Sequence, residues 1–68
     1  MRNNKLLAFG QRVRYLRKNK GLSQEEMAAL AGIDRSYMGH IERGEKNITL
    51  TKIYQICEAL GIEVADLF

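Results

Sequence analysis

The chain has 68 residues, 46% of them hydrophobic and 28% charged, with eleven basic against eight acidic side chains and a formal net charge of +3. That length fits one domain over residues 1–68 with a single core, and leaves no room for an enzyme with its own substrate domain; the composition excludes the weakly hydrophobic, highly charged class of disordered chains. Cys57 is the lone cysteine and no apolar run approaches the roughly 20 residues that cross a bilayer, so a cytoplasmic, disulfide-free protein without a membrane segment is expected.

Proline is absent and the apolar spacing is mostly helical, which predicts an all-α fold. The first helix is expected over residues 4–19, with Leu6, Phe9, Val13 and Leu16 on one stripe and Lys20-Gly21 closing it. Seven of the eleven basic residues (Arg2, Lys5, Arg12, Arg14, Arg17, Lys18, Lys20) fall in the first twenty positions, and every acidic residue follows them. Such a cluster suits a polyanionic partner; a solvated face whose cations complement the helix dipole explains it equally well.

Ser23-Gln24-Glu25-Glu26 has the pattern of a capping box and starts a second helix, which stops at Gly32. Asp34 is an N-cap candidate for a third helix over residues 35–43. With so few residues between them, the two helices must cross steeply. Gly44 ends the third helix, Glu45-Lys46-Asn47 reads as a polar loop, and Thr49 caps a fourth helix over residues 50–60. Gly61 ends that helix, and residues 62–68 form one short turn with Ile62, Leu67 and Phe68 as apolar surface.

Rotation of about 100° per residue divides the third helix into two faces. Met38 and Ile41 lie together, with Tyr37 and Glu42 on the borders, while Arg35, Ser36, Gly39, His40 and Arg43 lie opposite. An interior glycine costs a helix about 1 kcal/mol relative to alanine, so Gly39 implies compensation: close approach of a partner, which its polar surroundings favour, or tight packing on another helix. Glu42, beside two core residues, needs a partner if it is half buried; Arg17, at the apolar border of the first helix, can supply a bidentate bridge. His40 has no second ligand, Cys57 lies in an apolar pattern, and neither serines nor carboxylates form a catalytic arrangement, so no enzyme activity, metal or cofactor is expected.

Residues 21–28 (Gly-Leu-Ser-Gln-Glu-Glu-Met-Ala), then Ala31-Gly32-Ile33-Asp34 and Ile41-Glu42-Arg43-Gly44, resemble the lambda-repressor-like (Xre/Cro) helix-turn-helix domains, with the two-helix unit at about residues 23–43. The resemblance covers about residues 9–68, and residues 34–49 look most like the controller proteins of restriction–modification systems. It implies a compact five-helix domain that binds double-stranded DNA as a transcription regulator, either repressor or activator, with no small-molecule effector.

Carried onto matching positions, the resemblance makes the third helix the recognition helix in the major groove, with Arg35 first in base reading, then Ser36 and His40, and Gly39 at the closest approach. The family often has a longer polar side chain where this sequence has Gly39. Ser23, Gln24, Tyr37, Arg43, Lys46 and Asn47 would contact phosphates, Tyr37 alternatively a thymine methyl. Few base contacts per domain, together with the resemblance, imply a homodimer through Ile62, Val64, Leu67 and Phe68. Tyr15 and Tyr54 fit either that contact or the edge of the core. The alternative is an antitoxin-like protein-interaction module on the same fold.

Overall fold

In the computed structural model, residues 4–68 are described, and Arg2 of the basic cluster lies outside them. Five helices follow one another: α1 (Asn4–Asn19), α2 (Gln24–Ala31), α3 (Arg35–Glu42), α4 (Leu50–Leu60) and α5 (Val64–Leu67). No strand occurs among the described residues. The all-α expectation therefore holds, with one boundary moved: α3 ends at Glu42, and Arg43 is its C-cap.

Local chemistry accounts for the boundaries. The Glu26 amide donates to Ser23 Oγ at 3.0 Å and the Ser23 amide donates to Glu26 Oε1 at 2.9 Å, completing the capping box of α2. Gly32 ends α2 in the left-handed conformation at φ +68°, and the Ile33 amide then reaches back to the Ala28 carbonyl at 2.9 Å. Ile33 is buried, which fixes the turn to the core. Asp34 Oδ2 accepts from the amides of Ser36 and Tyr37 at 3.0 and 3.3 Å, and α3 begins.

The core gathers Phe9 and Val13 of α1, Met27 of α2, Met38 and Ile41 of α3, and Ile56, Cys57 and Leu60 of α4. Burying such a side chain contributes roughly 1.5–3 kcal/mol, so these apolar stripes hold the helices together far more than propensity does. Burial pushes the Cys57 thiol above its ordinary pKa, with the charges of Glu63 and Asp66 adding to the effect.

Where α1 crosses the end of α3, a glycine permits the contact. A Cβ on Gly10 would collide with the Ile41 carbonyl oxygen and lie 2.6 Å from that of Glu42, both of them backbone atoms. Gly44 is constrained twice, by φ +72° and by Leu7, whose Cα would lie 2.8 Å from an added Cβ.

The last turn is fastened to α1. Arg12 donates from Nε and Nη2 to the Asp66 carbonyl oxygen at 3.2 and 3.0 Å, and the Phe68 ring lies 5.4 Å from that of Phe9, centroid to centroid. Leu67 is 1% exposed. This corrects its assignment to a dimer contact: docking α5 on α1 turns Leu67 into the chain's own core.

Candidate nucleic-acid interface

The outward side of α3 is held from within by an ionic anchor. Arg17 donates from Nε to Glu42 Oε2 at 2.7 Å and from Nη2 to Oε1 at 3.1 Å, while its Nη1 donates to the Leu22 carbonyl at 2.7 Å. Both side chains are buried, at 9% and 2% exposure. Gln24 Nε2 completes the set by donating to Glu42 Oε1 at 3.0 Å. One carboxylate thus ties α1 and the first turn of α2 to the last turn of α3, and fixes the attitude of α3 in the fold.

Arg35 and Ser36, at the start of α3, are exposed; no contact competes with the Arg35 guanidinium among the described hydrogen bonds and ion pairs. Tyr37 is half buried, donates its hydroxyl to the Asn47 carbonyl at 3.3 Å, and has the Lys52 ammonium 5.1 Å from its ring centroid. Lys46 and Asn47 are exposed on the loop after α3, and Ser23 is exposed at the start of α2. The Ser23 amide is taken by Glu26, so only its hydroxyl is left to donate to a ligand. Gln24, half buried, keeps a second amide hydrogen beyond the one given to Glu42.

At the other end of α3 sits a second, exposed ionic cluster. His40 Nδ1 lies 2.8 Å from Glu45 Oε1, and Arg43 Nε donates to the same oxygen at 3.1 Å. A nitrogen that close to a carboxylate must carry its proton, so His40 is protonated on Nδ1 and donates to Glu45; the 3.2 Å approach of Arg43 Nη2 to Nδ1 is then proximity without a hydrogen bond. His40 first, then Arg43, hold the Glu45 carboxyl below its ordinary pKa. Sequence reasoning placed Glu45 in a polar loop and missed it. The only available signal was Gly44, whose left-handed turn carries the chain back so that the Glu45 amide reaches the His40 carbonyl at 2.9 Å.

Gly39 requires a correction. The outward position expected of it is buried, because the Arg43 guanidinium folds over it: a Cβ there would meet Arg43 Nη1 at 3.1 Å and Gln24 Oε1 at 3.6 Å. The far ends of two side chains, neither a helix backbone nor an open surface, occupy the space it leaves. The basic N-terminal cluster also divides, since Arg17 is spent on Glu42 and Arg12 on Asp66, whereas Arg14, Lys18 and Lys20 are exposed. Ile62 and Val64 are half buried against the core, and Phe68 is 75% exposed. Tyr15 and Tyr54, at 57% and 50% exposure, are surface residues rather than a core edge.

A short turn pinned by a buried residue, a second helix set across the first and a polar, cationic outward edge define a helix-turn-helix protein. The helix-turn-helix family model matches residues 13–67, and the chain belongs to that family. As such it is a DNA-binding transcriptional regulator. It is 44% identical over 68 residues to the control protein C.BamHI of Bacillus amyloliquefaciens, covering 98% of this chain and 84% of that one. Among solved structures it superposes on the restriction–modification controller protein C.AhdI of Aeromonas hydrophila with a TM-score of 0.96 and 52% identity, over 97% of this chain and 100% of that one. The biofilm master regulator SinR, solved in complex with DNA, matches with a TM-score of 0.83 and 35% identity, over 87% and 95% of the two chains.

Proposed function

We propose that residues 1–68 act as one unit, a homodimeric controller of restriction–modification genes that reads a two-fold operator with α3 in the major groove of each half-site. The observation that carries this reading is the pairing of a buried anchor, Arg17–Glu42, with an exposed Arg35 and Ser36 on the same helix. A helix can discriminate bases only if its attitude is fixed, and a guanidinium can address guanine O6 and N7 together only if nothing else holds it. Arg35 and Ser36 read bases, and His40, which shares Glu45 with Arg43, meets a phosphate next to them. The second amide hydrogen of Gln24, the Ser23 hydroxyl, Tyr37, Arg43, Lys46 and Asn47 meet phosphates and set the register. The reading puts the protein in the cytoplasm, with the DNA.

Dimer contact falls to the exposed Phe68 and the half-buried Ile62 and Val64, together with Tyr54 and Leu50, which lie one turn apart on α4 at 50% and 65% exposure. Coupling two such domains makes the second docking intramolecular, which compensates for the few base contacts one domain can make. Likeness to C.BamHI and C.AhdI along most of their length supports the controller assignment.

Selection of bound duplexes from a random pool tests the whole reading. An inverted repeat with half-sites about 10 base pairs apart, centre to centre, is expected. Arg35→Ala should then weaken operator binding by about 1–3 kcal/mol and relax preference at one base pair in each half-site. Enrichment of a single asymmetric site, or an Arg35→Ala variant with unchanged preference, would overturn it.

A further inference from the structure

The donors at the end of α3 are already engaged within the chain. Arg43 and His40 converge on a single oxygen, Glu45 Oε1, at 3.1 and 2.8 Å. An oxygen carrying partial negative charge, approached by a guanidinium and an imidazole N–H, has the donor set of a DNA phosphate oxygen. The cluster is also shaped to hold Arg43 in place. Gly39 leaves room for the guanidinium to lie across α3, where a Cβ would stand 3.1 Å from Nη1 and 3.7 Å from Nη2. Gly44, at φ +72°, turns the backbone so that Glu45 faces back toward His40. The pair is exposed, at 51% for Arg43 and 29% for Glu45, so an incoming anion can reach it and exchange with it.

We propose that Glu45 is an internal stand-in for a phosphate, which holds Arg43 and His40 until DNA displaces it and so lowers affinity for duplex of any sequence. This rests on the reading that α3 and its following loop meet DNA. The exchange replaces one ion pair by another of like kind, so Arg43 contributes less to binding than an unpaired arginine would. Because Glu45 gives up Arg43 as the phosphate takes it, the exchange counts for about one phosphate contact less in the salt dependence. Base discrimination by Arg35, at the opposite end of α3, is untouched. Glu45 is thus a positioning residue that sets the level of binding and leaves the choice of site to others.

The test is a set of affinities measured against salt, on the selected operator and on random duplex. Glu45→Gln keeps the shape and removes the charge. It should tighten binding to both duplexes alike, by about three- to tenfold at low salt, and steepen the slope of log K against log salt by about 1. In a background carrying both Arg43→Gln and His40→Gln the gain should disappear, because neither cationic nor imidazole donor is then there for Glu45 to withhold from DNA. Persistence of the full gain in that background would mean that Glu45 merely repels DNA directly, and would overturn the proposal. No gain in the otherwise natural protein, with Arg35→Ala and Arg43→Gln still weakening binding, would also overturn it while leaving the DNA-facing assignment of α3 intact. If Arg35→Ala and Arg43→Gln both leave binding unchanged, the assignment itself falls and the proposal falls with it.

Discussion

At the end of α3 two carboxylates three residues apart each receive an arginine, Glu42 on the inside of the fold and Glu45 on its surface. Arg17 and Glu42 are removed from water, and Gln24 adds a third hydrogen bond to the carboxylate, so this pair behaves as a structural joint. Arg43 and Glu45 stay in contact with water, where an ion pair adds little to stability and exchanges partners readily. The same chemistry therefore holds the helix in one case and, in the proposal above, governs its access to DNA in the other. Solvent exposure, more than distance, separates the roles: Arg17 Nε lies 2.7 Å from its carboxylate and Arg43 Nε 3.1 Å.

The comparison breaks most sharply on Glu42→Ala. Removing the buried partner leaves Arg17 charged and unpaired, which should cost about 3–5 kcal/mol in urea unfolding, whereas Glu45→Gln should leave the unfolding midpoint where it is. A loss below about 1 kcal/mol for Glu42→Ala would mean that water reaches Arg17 and that the two pairs are alike.

The two glycines inside helices sharpen the same point at smaller scale. Gly10→Ala should cost about 1–3 kcal/mol despite alanine's better helix propensity, because the new Cβ meets the carbonyls of Ile41 and Glu42, which cannot move alone. Gly39→Ala should instead change stability by less than about 1 kcal/mol and in the favourable direction, since only the far ends of Arg43 and Gln24 must give way. Thermal unfolding of the two variants side by side checks the sign. Equal destabilisation would show that Arg43 is not free to yield.

The smallest effect belongs to Ser23→Ala, about 1 kcal/mol through loss of the cap on α2. It carries a pH signature. The Ser23 amide, then the Ser23 hydroxyl, hold the Glu26 carboxyl below its ordinary value. A depressed folded-state pKa gives stability that is present above the unfolded value and lost as pH falls through the folded one. The difference between Ser23→Ala and the natural protein should therefore narrow in acid below the ordinary glutamate range; an unchanged difference there would mean that the Ser23 hydroxyl does not act through the Glu26 carboxylate.

The helices were legible because their signals are local. Ser23, Asp34 and Thr49 each place an oxygen over the next turn's amides, and Gly32 and Gly61 supply left-handed stops. The Arg17–Glu42 bridge was legible too, because a carboxylate between Met38 and Ile41 in helical rotation has to find a cation. What depends on the crossing of distant elements was not. Gly10 has no local mark that distinguishes it from any glycine in a helix, and its necessity comes from the carbonyls of α3. Gly39 was misread because the residue filling its space, Arg43, is the C-cap of the same helix, and its guanidinium lies across Gly39 while bonded to Glu45. Leu67 was misread because a four-residue helix has no independent stability, and its side chain is turned inward where the helix docks on α1, beside the bond from Arg12 to the Asp66 carbonyl.

Cys57, 3% exposed among the apolar residues of α4, gives the molecule a built-in clock. A thiol-modifying reagent can reach the sulfur only while the surrounding helices are parted. Its rate of reaction under conditions that favour the native state therefore counts those openings directly. Compared with and without operator DNA, that count would reveal whether gripping a duplex quiets the whole interior or only the edge that touches it.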